Sequence, residues 1–171
     1  MQLCAGMWEF KVGNSLGAMF FTSYAGFWMS YAAIFINCFG FLNGYSTYAN
    51  GPKDLHDGLG LYLLAWTMFT ILNAIAAHRT TLALLSLILI VMVALLFLSI
   101  HHFTIYTYPE VSIRCQEVGG VFGVIGSFLA WYGAFATLLT KKNSLVILPV
   151  VPLDPIWKAW GMLPADAEGG H

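Results

Sequence analysis

From Thr80 to Pro109 the chain carries no Asp, Glu, Lys or Arg, and its central part, Leu82 to Ile100, has almost no polar side chain at all. A soluble helix needs a polar face toward water, so a stretch apolar all round belongs in a protein core or a lipid bilayer. The same absence of charge recurs from Val12 to Pro52, Gly58 to His78 and Val118 to Thr140. Each run is long enough to cross a hydrocarbon core, which takes about 20 residues at a rise of about 1.5 Å per residue. Only 9% of the residues are charged and 59% are hydrophobic, against roughly 25% charged in an ordinary soluble domain. The expected fold class is an all-α integral membrane protein with four complete transmembrane helices, preceded by the end of another.

The expected spans are about 13–39, 59–77, 81–101 and 118–140, within a membrane domain of residues 9–142. Residues 1–8 are apolar but reach only about 12 Å as a helix, so they read as the end of a truncated span. The segment NGYSTYANGPKDLHDG is rich in Gly, Asn and Pro and is expected as a loop in water. His78 and Arg79 leave only a tight turn between the second and third spans, and HFTIYTYPEVSIRCQE separates the third from the fourth. Residues 143–171 hold four of the six prolines and are expected as a tail outside the membrane. Lys11, Arg79, Lys141, Lys142 and Lys158 fall on one side of this topology, Lys53 and Arg114 on the other. Cytoplasmic loops hold the excess of Lys and Arg, so the C-terminus is expected to be cytoplasmic.

The net charge of -1 and the lack of a basic run exclude a nucleic-acid footprint. Cys4, Cys38 and Cys115 have no metal-ligand spacing, although Cys38 and Cys115 share the outer side and a disulfide between them stays open. No motif calls for a cofactor or a metal. No basic stretch and small-residue cleavage site mark a signal peptide, which leaves insertion to the helices themselves.

A period of 100° per residue divides the first span into two faces. Phe21, Ala25, Trp28, Met29, Ala32, Phe35 and Ile36 suit lipid or helix packing, whereas Ser23, Tyr24, Phe27, Ser30, Tyr31 and Asn37 fall opposite. Hydroxyls and amides in hydrocarbon need partners or water, so this second face points into the bundle, either along a hydrated path or toward interhelical hydrogen bonds. In the second span Tyr62, Trp66, Thr70, Asn73 and Ala77 recur on one stripe. Asn73 either orients a carboxylate or bonds a neighbouring helix. Neither stripe holds a Lys, Arg, Asp, Glu or His, which suits a weak, transient path better than an enzyme site. Gly119, Gly123 and Gly126 lie on a small-residue stripe of the fourth span, and Gly13 and Gly17 form a GxxxG pair; both read as helix-packing seams. His101 and His102 stand at a membrane boundary as anchors or proton relays, and Glu9 is either a solvated helix-end charge or a proton-coupling group.

The segment AGMWEFKVGNSLGAMFFTSYAGFWMSYAAIF, from Ala5 to Phe35, resembles the acetate uptake transporter family, the bacterial succinate-acetate permeases and fungal acetate and ammonia transport proteins. The likeness continues through GLYLLAWTMFT at Gly60–Thr70 and GGVFGVIGSFLAWYGAFATLLTKKNSLVILPV from Gly119, covering about residues 2–153. It implies a six-helix protomer within a homo-hexamer in the plasma membrane, each protomer with its own path for a small carboxylate such as acetate. The Tyr of the SYxxFW stretch, which in that family helps form a hydrophobic constriction, falls on Tyr24, and an aliphatic partner is implied between Leu89 and Leu95. The family's first helix, with its Asn-Pro-x-Pro-Leu-Gly-Leu signature, and most of its second have no counterpart here, and Gly133 stands where fungal members tend to carry Asn. The function expected is a small-monocarboxylate permease, with proton linkage, that depends on segments beyond those in this chain. Ammonium or ammonia transport, and a non-transporting membrane subunit or sensor, are the alternatives.

Overall fold

The computed structural model describes residues 1–139 and 141–160. Its helices are α1 (Gln2–Lys11), α2 (Ser15–Phe35), α3 (Phe41–Ser46), α4 (Gly51–Ala76), α5 (Leu82–Thr104), α6 (Pro109–Leu138) and α7 (Asp154–Ala159), with a 3-10 turn at Asn37–Phe39 between α2 and α3. α5 packs along both α4 and α6, while α1 packs along α2. Among the described residues three helices, α4, α5 and α6, are long and apolar enough to cross a membrane, with mean hydropathies of 1.7, 3.1 and 1.6. α2 is not among them, because the Ser, Thr and Tyr side chains that mark its polar face also lower its hydropathy.

α2 is shorter than the expected span 13–39. It begins one residue after Asn14, whose side chain accepts the Gly17 N–H at 3.0 Å, the usual role of an Asn N-cap. The Asn14 amide also donates to the Glu9 carboxylate at 2.7 Å, so Glu9 braces this cap. Gly13 turns the chain with φ 84°, a left-handed conformation that suits glycine. The expected Gly13–Gly17 packing seam is therefore a turn. A side chain on Gly17 would strike the Asn14 amide, and nothing lies within 4 Å of a side chain placed on Gly13. The close contact between α1 and α2 falls instead at Gly6, where an added Cβ would come within 2.5 Å of Thr22.

The segment expected as a loop in water is largely helical, with the end of α3 in it and α4 starting at Gly51. Pro52 in the first turn and Asp54 beside it explain this early start: Pro is preset for a first helical turn, and an acid there complements the helix dipole. α6 likewise starts at Pro109 with Glu110 behind it, ahead of the expected boundary at 118. Hydropathy locates the apolar middle of a helix, whereas proline and acidic first turns extend it into the polar flank.

The residues after α6 do not hang free. The Leu82 N–H donates to the Val151 carbonyl at 2.9 Å and the Leu153 N–H to the Thr80 carbonyl at 3.0 Å, framing an antiparallel bridge between Thr81 and Pro152. Arg79 pairs with Asp154 at 2.9 Å, and the Trp157 indole donates to the His78 carbonyl at 2.7 Å. Leu153 is buried beneath this clasp. Thr140, at the end of the expected fourth span, and residues 161–171 of the expected tail lie outside the described residues.

Candidate functional site

α2 and α4 meet through the side chains that their polar stripes share. The Tyr24 and Thr70 hydroxyl oxygens are 2.6 Å apart, and Thr70 donates its one proton to the Trp66 carbonyl at 2.7 Å. Tyr24 is therefore the donor and Thr70 the acceptor. Thr70 is fully buried and Tyr24 nearly so. The bond stands against a buried cluster of Tyr24, Phe27, Leu63 and Leu95, flanked by Val91 and Leu98 of α5.

Aromatic rings extend this contact along α2. Phe27 stacks on Tyr31 at 5.7 Å and on Tyr62 at 5.8 Å between centroids, with Trp66 edge-on at 5.1 Å. Rings 4.5–7 Å apart in these arrangements attract beyond the area they bury. Ser30 lies 2.7 Å from the Tyr62 hydroxyl, which also reaches the Phe27 carbonyl at 3.1 Å. The structure thus brings Tyr24, Phe27, Ser30, Tyr31, Trp66 and Thr70 into one array. Ser23 is half-buried, and Asn37 is exposed in the turn beyond α2.

Asn73 is buried one turn beyond Thr70. Its amide N–H donates to the Phe69 carbonyl of its own helix at 3.0 Å, and its carbonyl oxygen has no partner among the described residues. Buried polar atoms usually do have one, so this oxygen marks a place where a donor is wanted. A cleft of about 260 Å³ lies at the same end of the helices, between Asn14, Gly17 and Phe20 on one side and Thr80, Thr81 and Ile88 on the other.

The glycine stripe of α6 divides in two. Gly119 and Gly126 are buried against α5, and an added Cβ on Gly119 would come within 2.9 Å of Leu98. Gly123 faces open space with Val121, Val124 and Phe128 exposed around it. All three cysteines are free, with Cys115 buried and Cys38 exposed.

The array holds hydroxyls and aromatic faces, with no charged side chain among its residues. Such a set can solvate a small polar solute briefly without trapping it. Tyr62 was visible in the α4 stripe, but Leu63 and Leu95 are two aliphatic residues among many, and no signal in the sequence set them apart.

A sequence profile of the GPR1/FUN34/yaaH family matches residues 1–155. The chain belongs to this family. That is the family its motifs resemble, acetate and ammonia transport proteins included. Among similar curated proteins, the "Accumulation of dyads protein 2" of Saccharomyces cerevisiae is 38% identical over 90% of this chain and 51% of its own length. "Ammonia transport outward protein 2" of the same yeast is 38% identical over 86% of this chain and 49% of its own. "Acetate permease A" of Emericella nidulans is 34% identical over 93% of this chain and 54% of its own. This GPR1/FUN34/yaaH chain spans about half the length of the curated relatives it matches.

Proposed function

We propose that this protein is, or forms part of, a membrane permease for small monocarboxylates such as acetate, with uptake linked to protons. The observation that carries this reading is the Tyr24–Thr70 hydrogen bond set among Phe27, Leu63 and Leu95, a polar contact inside an uncharged, aromatic cluster that we read as the constriction of the path. A carboxylate is costly to strip of water, and its protonated form much less so. A path without a cationic side chain therefore favours movement as the acid. Within the constriction Tyr24 gates, Phe27 and Trp66 set the width, and Ser23, Ser30, Tyr31, Thr70 and Asn73 replace parts of the solute's hydration. Leu95 is the aliphatic partner from α5: of the two positions in the implied 89–95 window that meet Tyr24's cluster, Val91 and Leu95, it is the buried one. The name acetate permease, borne by a relative 34% identical, supports the substrate class.

In this reading α2 crosses the membrane beside α4, α5 and α6, the protein sits in the plasma membrane with its C-terminus in the cytoplasm, and protomers assemble as a homo-hexamer. The exposed apolar face of α6 suits lipid or a neighbouring protomer. Uptake of radiolabelled acetate by cells expressing the whole gene tests the proposal. Tyr24→Ala should change uptake severalfold, and equal uptake removes Tyr24 from the path.

Outward transport of ammonia or ammonium is the second reading, favoured by the name of a 38% identical relative and by the cation-attracting faces of Phe27, Tyr31, Tyr62 and Trp66. Competition between acetate and methylammonium in one uptake assay separates the two.

A further inference from the structure

At the end of the bundle opposite the clasp, three helices bring together imidazoles that play no part in the array above. His56 on α4 and His102 on α5 face each other with their Nδ1 atoms 2.9 Å apart. His101, next to His102, is buried and turned toward α6, where its Nδ1 lies 2.8 Å from the Ser112 hydroxyl and 3.1 Å from the Ser112 carbonyl. The Ser112 hydroxyl in turn reaches the His101 carbonyl at 3.0 Å. This closed pattern places a proton on His101 Nδ1 and ties α5 to α6.

The His56–His102 contact is of a different kind. Two Nδ1 atoms form a hydrogen bond only when one carries a proton and the other offers its lone pair. If both rings are imidazolium, each nitrogen is a donor, the bond is lost, and two cations stand in contact. We propose that His56 and His102 are a proton-binding latch: one shared proton holds α4 to α5, and a second proton releases them. α4 and α5 are joined at their other ends by the short turn around His78–Thr81, so the latch closes the free end of a hairpin. Besides the latch, this end is held by Ser99, whose hydroxyl donates to the Gly60 carbonyl at 2.8 Å, and by Phe103, which lies against Gly60. Because His101 binds α5 to α6, the movement on release is of α5 and α6 together away from α4.

The neighbouring groups leave the latch dependent on protons. Asp57 on α4 acts electrostatically on His56 and offsets part of the repulsion, whereas His101 adds to it. The Tyr106 ring, in the turn after α5, stands edge-on to His56 at 5.7 Å. α6 contributes the uncharged Ser112 directly, with Glu110 and Arg114 lining the adjoining cleft beside Phe97 and Cys115. Arg114 is paired with Glu117 at 3.1 Å. Lys53 and Asp54 lie exposed in the first turn of α4. No group of three or more His, Cys, Asp or Glu among the described residues is arranged to hold a metal ion.

The test places spin labels at Lys53→Cys and Thr107→Cys in the full chain, with Cys4, Cys38 and Cys115 replaced by Ala, and measures their separation in detergent from about pH 7.5 down to about pH 3.5, a range that extends below the one in which free imidazoles charge. Acidification should shift the distance distribution to longer values, and His56→Gln and His102→Gln should each abolish that shift while helix content is unchanged. An unchanging distance, or a shift that survives in either folded variant, overturns the proposal. Nitrogen NMR of the histidine rings in the unsubstituted chain gives a second readout: the Nδ1–H···Nδ1 signal should vanish over the same pH interval as the shift. Separation with that signal intact also overturns the latch.

Discussion

The Tyr24 hydroxyl donates to Thr70 across 2.6 Å, joining α2 to α4 at a point where both side chains are buried. A buried hydrogen bond of this kind contributes about 0.5–1.5 kcal/mol, and leaving one partner unsatisfied costs about 1–3 kcal/mol. Tyr24→Phe should therefore destabilise the protein, Thr70→Val should do so to a similar extent, and the double variant should cost less than the sum. Reversible unfolding in detergent, analysed as a double-mutant cycle, measures that coupling. Additive effects would show that the two hydroxyls do not depend on each other.

Asn73 offers a separate test, because its carbonyl oxygen is buried without a partner among the described residues and its N–H serves only its own helix. Replacing a half-satisfied polar group by an apolar one of similar volume is often neutral or stabilising. Asn73→Leu should keep or raise the unfolding midpoint while lowering acetate uptake. Loss of stability with uptake retained would make Asn73 a structural residue.

Gly119 and Gly123 lie one helical turn apart and should respond unequally to the same substitution. Gly119→Val forces a side chain against Leu98 and the Ala94 carbonyl, and overpacking of this sort costs about 1–3 kcal/mol. Gly123→Val meets open space in the protomer and should leave its stability nearly unchanged. Thermal unfolding of the two variants in detergent compares them directly.

Docking of the tail should depend on pH through Asp154, whose carboxyl is held below its ordinary value by its hydrogen bond and ion pair with Arg79. A depressed carboxylate pKa means that this contribution is complete above the ordinary value of about 3.9 and is lost as the pH falls through the depressed one. Trp157 fluorescence, followed from neutral to strongly acidic pH, should change only at the acid end. Asp154→Asn should remove that change and make the tail easier to cleave by protease at neutral pH. The pair is exposed, so its effect should be on docking of the tail and not on global stability.

The sequence alone was enough to place the chain in a helical membrane class, because charge is excluded from hydrocarbon and the uncharged runs are too long for another use. It also separated Tyr24, Phe27, Ser30 and Tyr31 from the opposite face of α2, and Trp66, Thr70 and Asn73 on α4, since a helical period puts such residues on one side whatever they touch. The SYxxFW, GLYLLAWTMFT and GGVFGVIG segments carried the family likeness. Boundaries were less legible. Pro52 and Pro109 start helices inside polar segments, where hydropathy gives no signal.

Only the tertiary structure decided which residues meet. Periodicity orders residues around one helix axis but contains nothing about how one helix is rotated against another. For that reason Leu95 could not be told from its aliphatic neighbours until α5 was seen against Tyr24. Gly13 and Gly17 match a packing motif in sequence, but chain direction reverses at Gly13, so the pair forms a cap and a turn. His56 and His102 stand far apart in sequence and become partners because the hairpin brings the start of α4 beside the end of α5.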